Sequence, residues 1–458
     1  MVKLFNAYFP ARTVLLALTE ACLITLALVA SIYARFGADS PLVLMYESGF
    51  FKIGIVAAVC LICMYYYDLY DSLLLTNPRE VITRLIQVLG TTSLVLAVLY
   101  YLYPAVQLSL GVFLTGIAFV GILILLWRRL FFVLSHVTGF AERVLLVGDG
   151  SLAGALASLV EKKPELGVRL VGYVANPPTA AGASGLLRLG RLEDLKQVVH
   201  KESITRILVT MTDRRGKLPV DELLRLKMHG VQVEDGSDFY EMITGKVPLD
   251  SLRPSWLLFS QGFRLSKGSL FFKRTFSIVL ASMALLVLLP VMAVIALAIW
   301  LDSGGPVLFP QKRVGKDGRI FTLFKFRSMK NGEDFKPAEE NDDRLTRVGR
   351  WIRRCRVDEL PQLYNILRGD MHFVGPRPFA LEEEHELAEK IPYYRQRWAV
   401  RPGATGWAQI QRGYCATLED NVDKLAYDLF YIKNMSVGLD LLVILQTLKI
   451  LLLGRGAR

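Results

Sequence analysis

The sequence predicts an α/β membrane protein in three parts. An N-terminal four-helix transmembrane bundle leads into a Rossmann-like α/β domain, and a C-terminal α/β domain follows on a re-entrant membrane helix. Three observations carry this. Four apolar runs open the chain, Thr13–Tyr33, Gly49–Tyr67, Leu85–Tyr103 and Leu108–Trp127, each near the ~20 residues that cross a hydrocarbon layer. From Glu142 onward, short strand-like runs alternate with helical stretches, the pattern of a parallel sheet covered by helices. A fifth apolar run, Leu270–Leu301, then precedes a strongly basic C-terminal unit. The boundaries drawn are 1–135, 140–245, a linker or small module at 246–269, the membrane helix at 270–303, and 304–458.

Composition agrees. Of 458 residues 53% are hydrophobic and the mean hydropathy is +0.37, too apolar for an ordinary soluble enzyme. The formal net charge of +12 comes without basic runs interleaved with aromatics. It therefore favours a membrane surface and an anionic substrate over nucleic acid. Cysteines 22, 60, 63, 355 and 415 form no disulfide framework. Cys60 and Cys63 sit within an apolar run and read as small helix residues, not as a redox or zinc pair.

Charges orient the first four runs. Lys3 and Arg12 precede the first, Arg79 and Arg84 separate the second from the third, and Arg128, Arg129 and Arg143 follow the fourth. The segment Leu102–Gln107 carries no charge, and the loop between the first two runs is balanced. Both ends are thus expected in the cytoplasm. The first run lacks a small-residue cleavage site behind it and reads as a retained span.

In the second part, Val144–Val147 runs into Gly148-Asp149-Gly150-Ser151-Leu152-Ala153-Gly154, and further strands are predicted at Leu170–Val174, Arg206–Thr210 and Val231–Val233. The glycine spacing is G-x-G-x-x-x-G, and Asn176 stands where an acidic residue would bind ribose. A module used for packing or regulation is the favoured reading over a nucleotide site. The linker holds Pro248, Pro254 and Trp256, with Trp256 expected to be buried.

Lys267, Lys273 and Arg274 lie before the fifth apolar run, and Lys312, Arg313 and Lys316 after it. Basic flanks on both sides place both ends in the cytoplasm. A helix that breaks at Pro290 and returns satisfies this. The alternative, a plain fifth span, puts the rest of the chain across the membrane from the nucleotide pools. The closing run Val437–Leu453 carries Asp440, Gln446 and Lys449 and suits an interfacial helix.

The candidate chemistry lies in Asp358–Pro378. Asp358 and Glu359 are adjacent, so they do not share a helix face and serve different groups. Pro361 fits a helix's first turn, and Leu363, Ile366 and Leu367 continue an apolar face. The dipole of that helix is expected to keep the carboxylates ionised, as nucleophilic attack on phosphorus requires; helix capping is the ordinary alternative. Arg377 sits between two prolines that restrict its backbone, which suits aiming a planar fork at phosphate oxygens. Lys325 and Arg327 alternate along one predicted strand and are expected on one face. A solvated surface face explains two such cations equally well. Gly315–Arg319 reads as a basic hairpin turn, and His372 and His385 have no partner at ligand spacing.

Lys325-Phe326-Arg327-Ser328-Met329, Asp358-Glu359-Leu360-Pro361-Gln362-Leu363, Asn365, Gly369-Asp370-Met371, Val374-Gly375-Pro376-Arg377-Pro378 and Arg401-Pro402-Gly403-Ala404-Thr405-Gly406-Trp407 resemble the bacterial sugar transferases. These are polyprenyl-phosphate phosphoglycosyl transferases with one re-entrant helix. The likeness runs from about Phe271 to the C-terminus, and the front end resembles the family's large members. Arg253-Pro254-Ser255-Trp256 and Tyr427–Asn434 resemble the branch tied to exopolysaccharide export.

The resemblance implies two-step transfer of a sugar-1-phosphate from a UDP-sugar to undecaprenyl phosphate, through an aspartyl-phosphosugar intermediate and with release of UMP. It is the first membrane step of exopolysaccharide, capsule or O-antigen synthesis. Carried over, Asp358 is the nucleophile, Glu359 the Mg²⁺ ligand, and Lys325, Arg327, Arg377 and Arg401 contact phosphate. The site then belongs on the cytoplasmic face of the bacterial inner membrane, and a homodimer is implied. Two departures stand out. The family's Lys-Arg-x-x-Asp is here Lys273-Arg274 followed by Ser277, and Cys355-Arg356-Val357 replaces Thr-Ser-Leu. The rival readings are a membrane-anchored nucleotide-sugar dehydratase or epimerase, which needs a Tyr-x-x-x-Lys that the chain lacks, and a non-catalytic membrane assembly protein.

Overall fold

A computed structural model describes residues 2–4, 6–70, 78–137, 142–163, 166–176, 185–211, 213–252, 257, 260, 262–263, 266–330, 344–412 and 417–452. A short hairpin, β1 (Val2–Leu4) and β2 (Ala7–Phe9), precedes the apolar helices and was not foreseen from the sequence. It leaves the membrane part and seats Ala7 in the core of the C-terminal unit. The Asn6 side chain donates to the Asn434 carbonyl at 3.0 Å.

The apolar runs form α1 (Ala11–Phe36), α3 (Gly49–Tyr66), α4 (Pro78–Leu102) and α5 (Leu110–Val137), with a short α2 (Ser40–Met45) after α1. Helices α1 and α4 each pack on both α3 and α5. Ile24, Leu28, Met64, Val88, Leu96 and Ile124 are buried between them, while Leu26, Ile62, Leu94 and Ile122 face outward and are exposed. Apolar residues on both the inner and the outer faces suit helices surrounded by lipid. Among the described residues five helices, these four and Lys267–Ser303, are long and apolar enough to cross a membrane, marking a multi-pass membrane protein. Arg128, read from sequence as a flanking charge, is buried instead. Its Nε donates to Glu20 at 2.6 Å and its Nη1 to the Leu69 carbonyl at 2.8 Å.

The second unit is a five-stranded parallel sheet in the order β5-β4-β3-β6-β7. Its strands are β3 (Glu142–Val147), β4 (Val168–Val174), β5 (Arg188–Gly190), β6 (Arg206–Val209) and β7 (Gln232–Asp235). Helices α6 (Ser151–Lys162) and α9 (Gly236–Thr244) cover one face, and α7 (Leu195–Lys201) and α8 (Val220–Met228) the other. The four predicted strands are present; β5 is too short for periodicity to reveal. Gly148 has φ +112°, and a Cβ there would lie 2.7 Å from the Met211 backbone nitrogen. Asn176 is engaged within the fold, donating to Glu193 at 2.5 Å and accepting from the Leu192 N–H at 3.3 Å.

The C-terminal unit begins with α10 (Lys267–Ser303), whose assignment runs unbroken through Pro290. The predicted break is corrected to a continuous helix, because one proline removes one backbone bond and bends a helix without ending it. Next come the hairpin β8 (Leu308–Val314) and β9 (Ile320–Phe326), α11 (Arg347–Arg354), α12 (Gln362–Arg368), β10 (His372–Val374) and α13 (Leu381–Lys390). Strand β11 (Gly403–Thr405), parallel to β10, and helices α14 (Trp407–Gln411), α15 (Leu418–Asn434) and α16 (Val437–Leu452) complete it.

Both ends of α10 pack on this same unit. Toward its start, Arg274 donates to the Ile366 and Leu367 carbonyls, and Ala281 packs with Leu323, Leu363 and Ile366. Toward its end, Ile295 and Ile299 pack with Phe326 and Ile352, and Asp302 accepts from the Val348 N–H at 3.0 Å. In between, Leu286 and Val287 are 77% and 72% exposed.

Units two and three meet through α9 and α15. Glu241 accepts from Lys433 at 2.6 Å and from Asn434 at 3.0 Å, Trp407 donates to the Gly245 carbonyl, and Val247 donates to the Ala426 carbonyl. Lys449 on α16 reaches the turn after α3, pairing with Asp68 and donating to the Tyr65 carbonyl. The Arg253–Trp256 motif, including the expected burial of Trp256, lies outside the described residues.

Candidate active site

Asp358 and Glu359 occupy a single helical turn, Val357–Glu359, entered through Arg356 in the left-handed region (φ 58°). Pro361 caps α12, whose apolar face buries Leu363 and Ile366 as the spacing predicts. Asn365 on this helix ties the turn to β9. Its Oδ1 accepts from the Phe324 N–H at 3.1 Å, and its Nδ2 donates to the Thr322 carbonyl at 2.7 Å. These bonds fix Lys325, the next residue, against the acidic pair.

The Gly-Pro-Arg-Pro loop arrives from β10. A Cβ on Gly403 would sit 2.0 Å from the Gly375 nitrogen, so glycine there lets the loop lie flat against β11. Arg377 thereby meets Glu359, with Nη2 at 2.6 Å from Oε1; Lys325 Nζ is 3.5 Å from the same oxygen. Burial pushes the Glu359 carboxyl up, but Arg377 and Lys325 outweigh it and hold the group well below the usual carboxylate range.

Asp358 behaves oppositely. Burial raises its pKa, the neighbouring Glu359 charge adds to that, and Lys325, Arg353 and Arg356 offset only part. Any help that the helix dipole gives to ionisation at Asp358 is outweighed by burial and the Glu359 charge. Helix α12 is one short helix of seven residues starting four positions later, and a dipole's influence fades within a turn.

Two predicted phosphate contacts lie elsewhere. Strand β9 ends at Phe326, and Arg327 turns inward to donate to the carbonyls of Ser303, Gly304 and Gly305 at the end of α10. Alternation does not continue past a strand's last residue, so Lys325 and Arg327 do not share a face. Arg401 lies near the start of α10, among Lys273, Lys316 and His372.

Sequence reasoning missed two arginines. Arg313 on β8 is on the same hairpin face as Lys325, as the pairings Phe309–Lys325 and Arg313–Phe321 require. It donates to the Pro378 carbonyl at 3.1 Å, and burial together with Arg377 lowers its pKa to about 10. Arg397 is buried and holds the loop from behind. It donates to Asp428 at 2.8 Å, to Glu384 at 3.1 Å and to the Arg377 carbonyl at 2.8 Å. The hairpin register points to Arg313 once β8 and β9 are paired; no local signal marks Arg397. At the family's altered anchor position, the Ser277 hydroxyl still accepts from the Phe373 N–H at 3.2 Å.

Together these residues form a compact cationic enclosure of Lys325, Arg377 and Arg313 around two carboxylates, one ion-paired and the other with its pKa raised by burial and by its neighbour. Such a site can receive a diphosphate and offer a carboxylate to phosphorus.

Residues 268–454 match the family described as bacterial sugar transferase. The UDP-glucose:undecaprenyl-phosphate glucose-1-phosphate transferase of Escherichia coli K12 is 35% identical over 318 residues, covering 68% of each chain. The chain belongs to the bacterial sugar transferase family. Other relatives of the chain include a UDP-N-acetylgalactosamine-undecaprenyl-phosphate N-acetylgalactosaminephosphotransferase from Aeromonas hydrophila, 40% identical over 52% of the chain and 56% of the relative. The exopolysaccharide production protein PSS of Rhizobium leguminosarum is 42% identical over 38% of the chain and 92% of its own length. The chain spans 56% and 60% of the length of two curated relatives that it matches. Residues 65–233 match a family described as CoA-binding domain.

Proposed function

We propose that the protein transfers a sugar-1-phosphate from a UDP-sugar to undecaprenyl phosphate at the cytoplasmic face of the bacterial inner membrane, in exopolysaccharide, capsule or O-antigen synthesis. The observation that carries this is the clamp of Arg377 and Lys325 on Glu359 beside the raised Asp358 carboxyl. In the first step an Asp358 oxygen attacks the sugar-bearing phosphorus, and the bond to the bridging oxygen breaks, releasing UMP. In the second, an oxygen of the lipid phosphate attacks the same phosphorus, which frees Asp358 and leaves the sugar on a lipid diphosphate. Lys325, Arg377 and Arg313 steady the equatorial oxygens in both steps.

Mg²⁺ fits this donor set only in company with substrate. Among the described residues no group of three His, Cys, Asp or Glu side chains gathers, yet Mg²⁺ is commonly held by one or two carboxylates plus substrate phosphates. Glu359 is the residue that would hold the metal, and the metal would neutralise phosphate charge.

Incubating the purified enzyme with undecaprenyl phosphate and a panel of UDP-sugars should release UMP with one of them; no release with any sugar overturns the reading. Glu359→Gln should weaken the dependence on Mg²⁺, and an unchanged metal titration would remove it as a ligand. The same variant should shift the acid limb of single-turnover UMP release to lower pH. Asp358 must be ionised to attack, its raised pKa places that limb high, and losing Glu359 removes one cause while freeing two cations to act on it.

The N-terminal helices are read as a four-span bundle and α10 as a re-entrant helix. Support comes from packing of both ends of α10 on one unit with an exposed apolar middle, and from the contact of Lys449 with Asp68, which Arg84 on α4 also meets at 3.5 Å. An Arg319→Cys probe, in a background without other cysteines, should resist an impermeant thiol label in intact cells; ready labelling favours a plain fifth span. A homodimer belongs to the same proposal, as the family resemblance implies it.

A further inference from the structure

Beside the start of α10 lies a second cationic place, a pocket of about 200 Å³ whose walls include Leu270, Lys316, His372, Val400, Arg401 and Met435. None of Asp358, Glu359, Lys325 or Arg377 lines it. Its charge is largely uncompensated. Among the described residues, the carboxylate that pairs with Lys316 is Asp317, at 3.9 Å. Arg274, just behind, spends its guanidinium on two neutral carbonyls, with Asp370 the carboxylate that faces it. Lys273 is neutralised by Asp440 at 2.6 Å. Among the described residues, Arg401 makes no side-chain hydrogen bond or ion pair. His372 is held neutral, its pKa lowered to about 3 by burial and by Lys273, Arg401, Arg274 and Lys316.

The other half of the pocket is apolar, and its Leu270 lies in the first turn of α10. Leu270 is followed at once by Phe271 and Phe272, 68% and 65% exposed, an aromatic pair suited to the membrane interface. Unbalanced cations next to an apolar wall at that level match an anion with a hydrocarbon tail, not a free solute.

We propose that this pocket docks the phosphate monoester headgroup of a polyprenyl lipid, with Arg401 and Lys316 on the phosphate oxygens and Leu270, Val400 and Met435 against the first carbons. This rests on the proposed function, for which it supplies the acceptor's place. The route to chemistry is short. His372 and Arg377 are five residues apart along one segment, which spans at most about 18 Å when extended.

The test uses the full-length protein in lipid nanodiscs, comparing wild type with Lys316→Gln, Arg401→Gln and the double variant. The probes are radiolabelled farnesyl phosphate for binding, undecaprenyl phosphate for turnover, and inorganic phosphate as competitor. Each substitution should weaken farnesyl phosphate binding, and raise the KM for undecaprenyl phosphate, by about tenfold. UMP release in the absence of lipid should be unchanged in Lys316→Gln. Arg401→Lys should recover part of the loss.

Unchanged lipid binding in the double variant overturns the proposal. So does equal competition by inorganic phosphate, which would make the pocket a free-anion site, or a parallel loss of lipid-free UMP release in Lys316→Gln, which would assign the pocket to the nucleotide-sugar site. If wild type itself releases no UMP, the proposed function fails, while the binding measurement still judges the pocket.

Discussion

Asp358→Asn is expected to lower sugar-phosphate transfer by roughly three orders of magnitude or more and to abolish the labelled covalent enzyme species. Membrane insertion should be intact. The amide keeps the carboxylate's shape but cannot attack phosphorus. Asp358 is also held in an unfavourable ionised state by burial and by Glu359, so neutralising it relieves repulsion. The variant's melting temperature in detergent should therefore match or exceed that of wild type. This pairing of lost activity with undiminished stability separates a nucleophile from a structural residue. Near-normal turnover, or retention of the covalent label, would sink the assignment.

The second large effect is expected at Arg397, which touches no substrate in this reading. Arg397→Met leaves Glu384 and Asp428 buried beside an apolar side chain; both carboxylates are at most 3% exposed. Breaking a buried ion pair from one side costs about 3–5 kcal/mol, enough to threaten folding of a marginally stable unit. The melting transition should fall sharply. Adding Glu384→Gln and Asp428→Asn should recover part of it, because the residual charges are then gone. Activity should not recover with stability, since the Arg377 carbonyl still lacks the donor it meets at 2.8 Å. Full recovery of both would mean that Arg397 does not position the loop.

The membrane helices, the parallel strands and the acidic turn were legible because each reports a local regularity: run length, alternation, or a proline after two carboxylates. Hidden were the choices of partner over long range. Asn365 bonds to residues 41 and 43 positions away, and Arg397 joins Glu384 and Asp428 across 13 and 31; no periodicity encodes such distances. Arg327 was misread for a related reason. Alternation told which way a strand residue would face, but not that the strand would stop at Phe326. Asp358 shows the limit in electrostatics. Its sign of charge was readable, but burial and the Glu359 field, which decide its protonation, depend on the assembled fold.

The joint between α9 and α15 also bears on how the molecule can be divided. By sequence, a linker or small module divides the Rossmann-like part from the C-terminal part. Physically they share a seam: the Trp407 indole ends on the Gly245 carbonyl, and Lys433 and Asn434 end on the Glu241 carboxylate. Trp407 closes the Arg401–Trp407 motif and stacks on Phe430 within the transferase core. Cutting at the linker would therefore remove a wall of the catalytic unit, not an accessory, and whatever shifts α9 acts as a lever on β11 and the loop it supports.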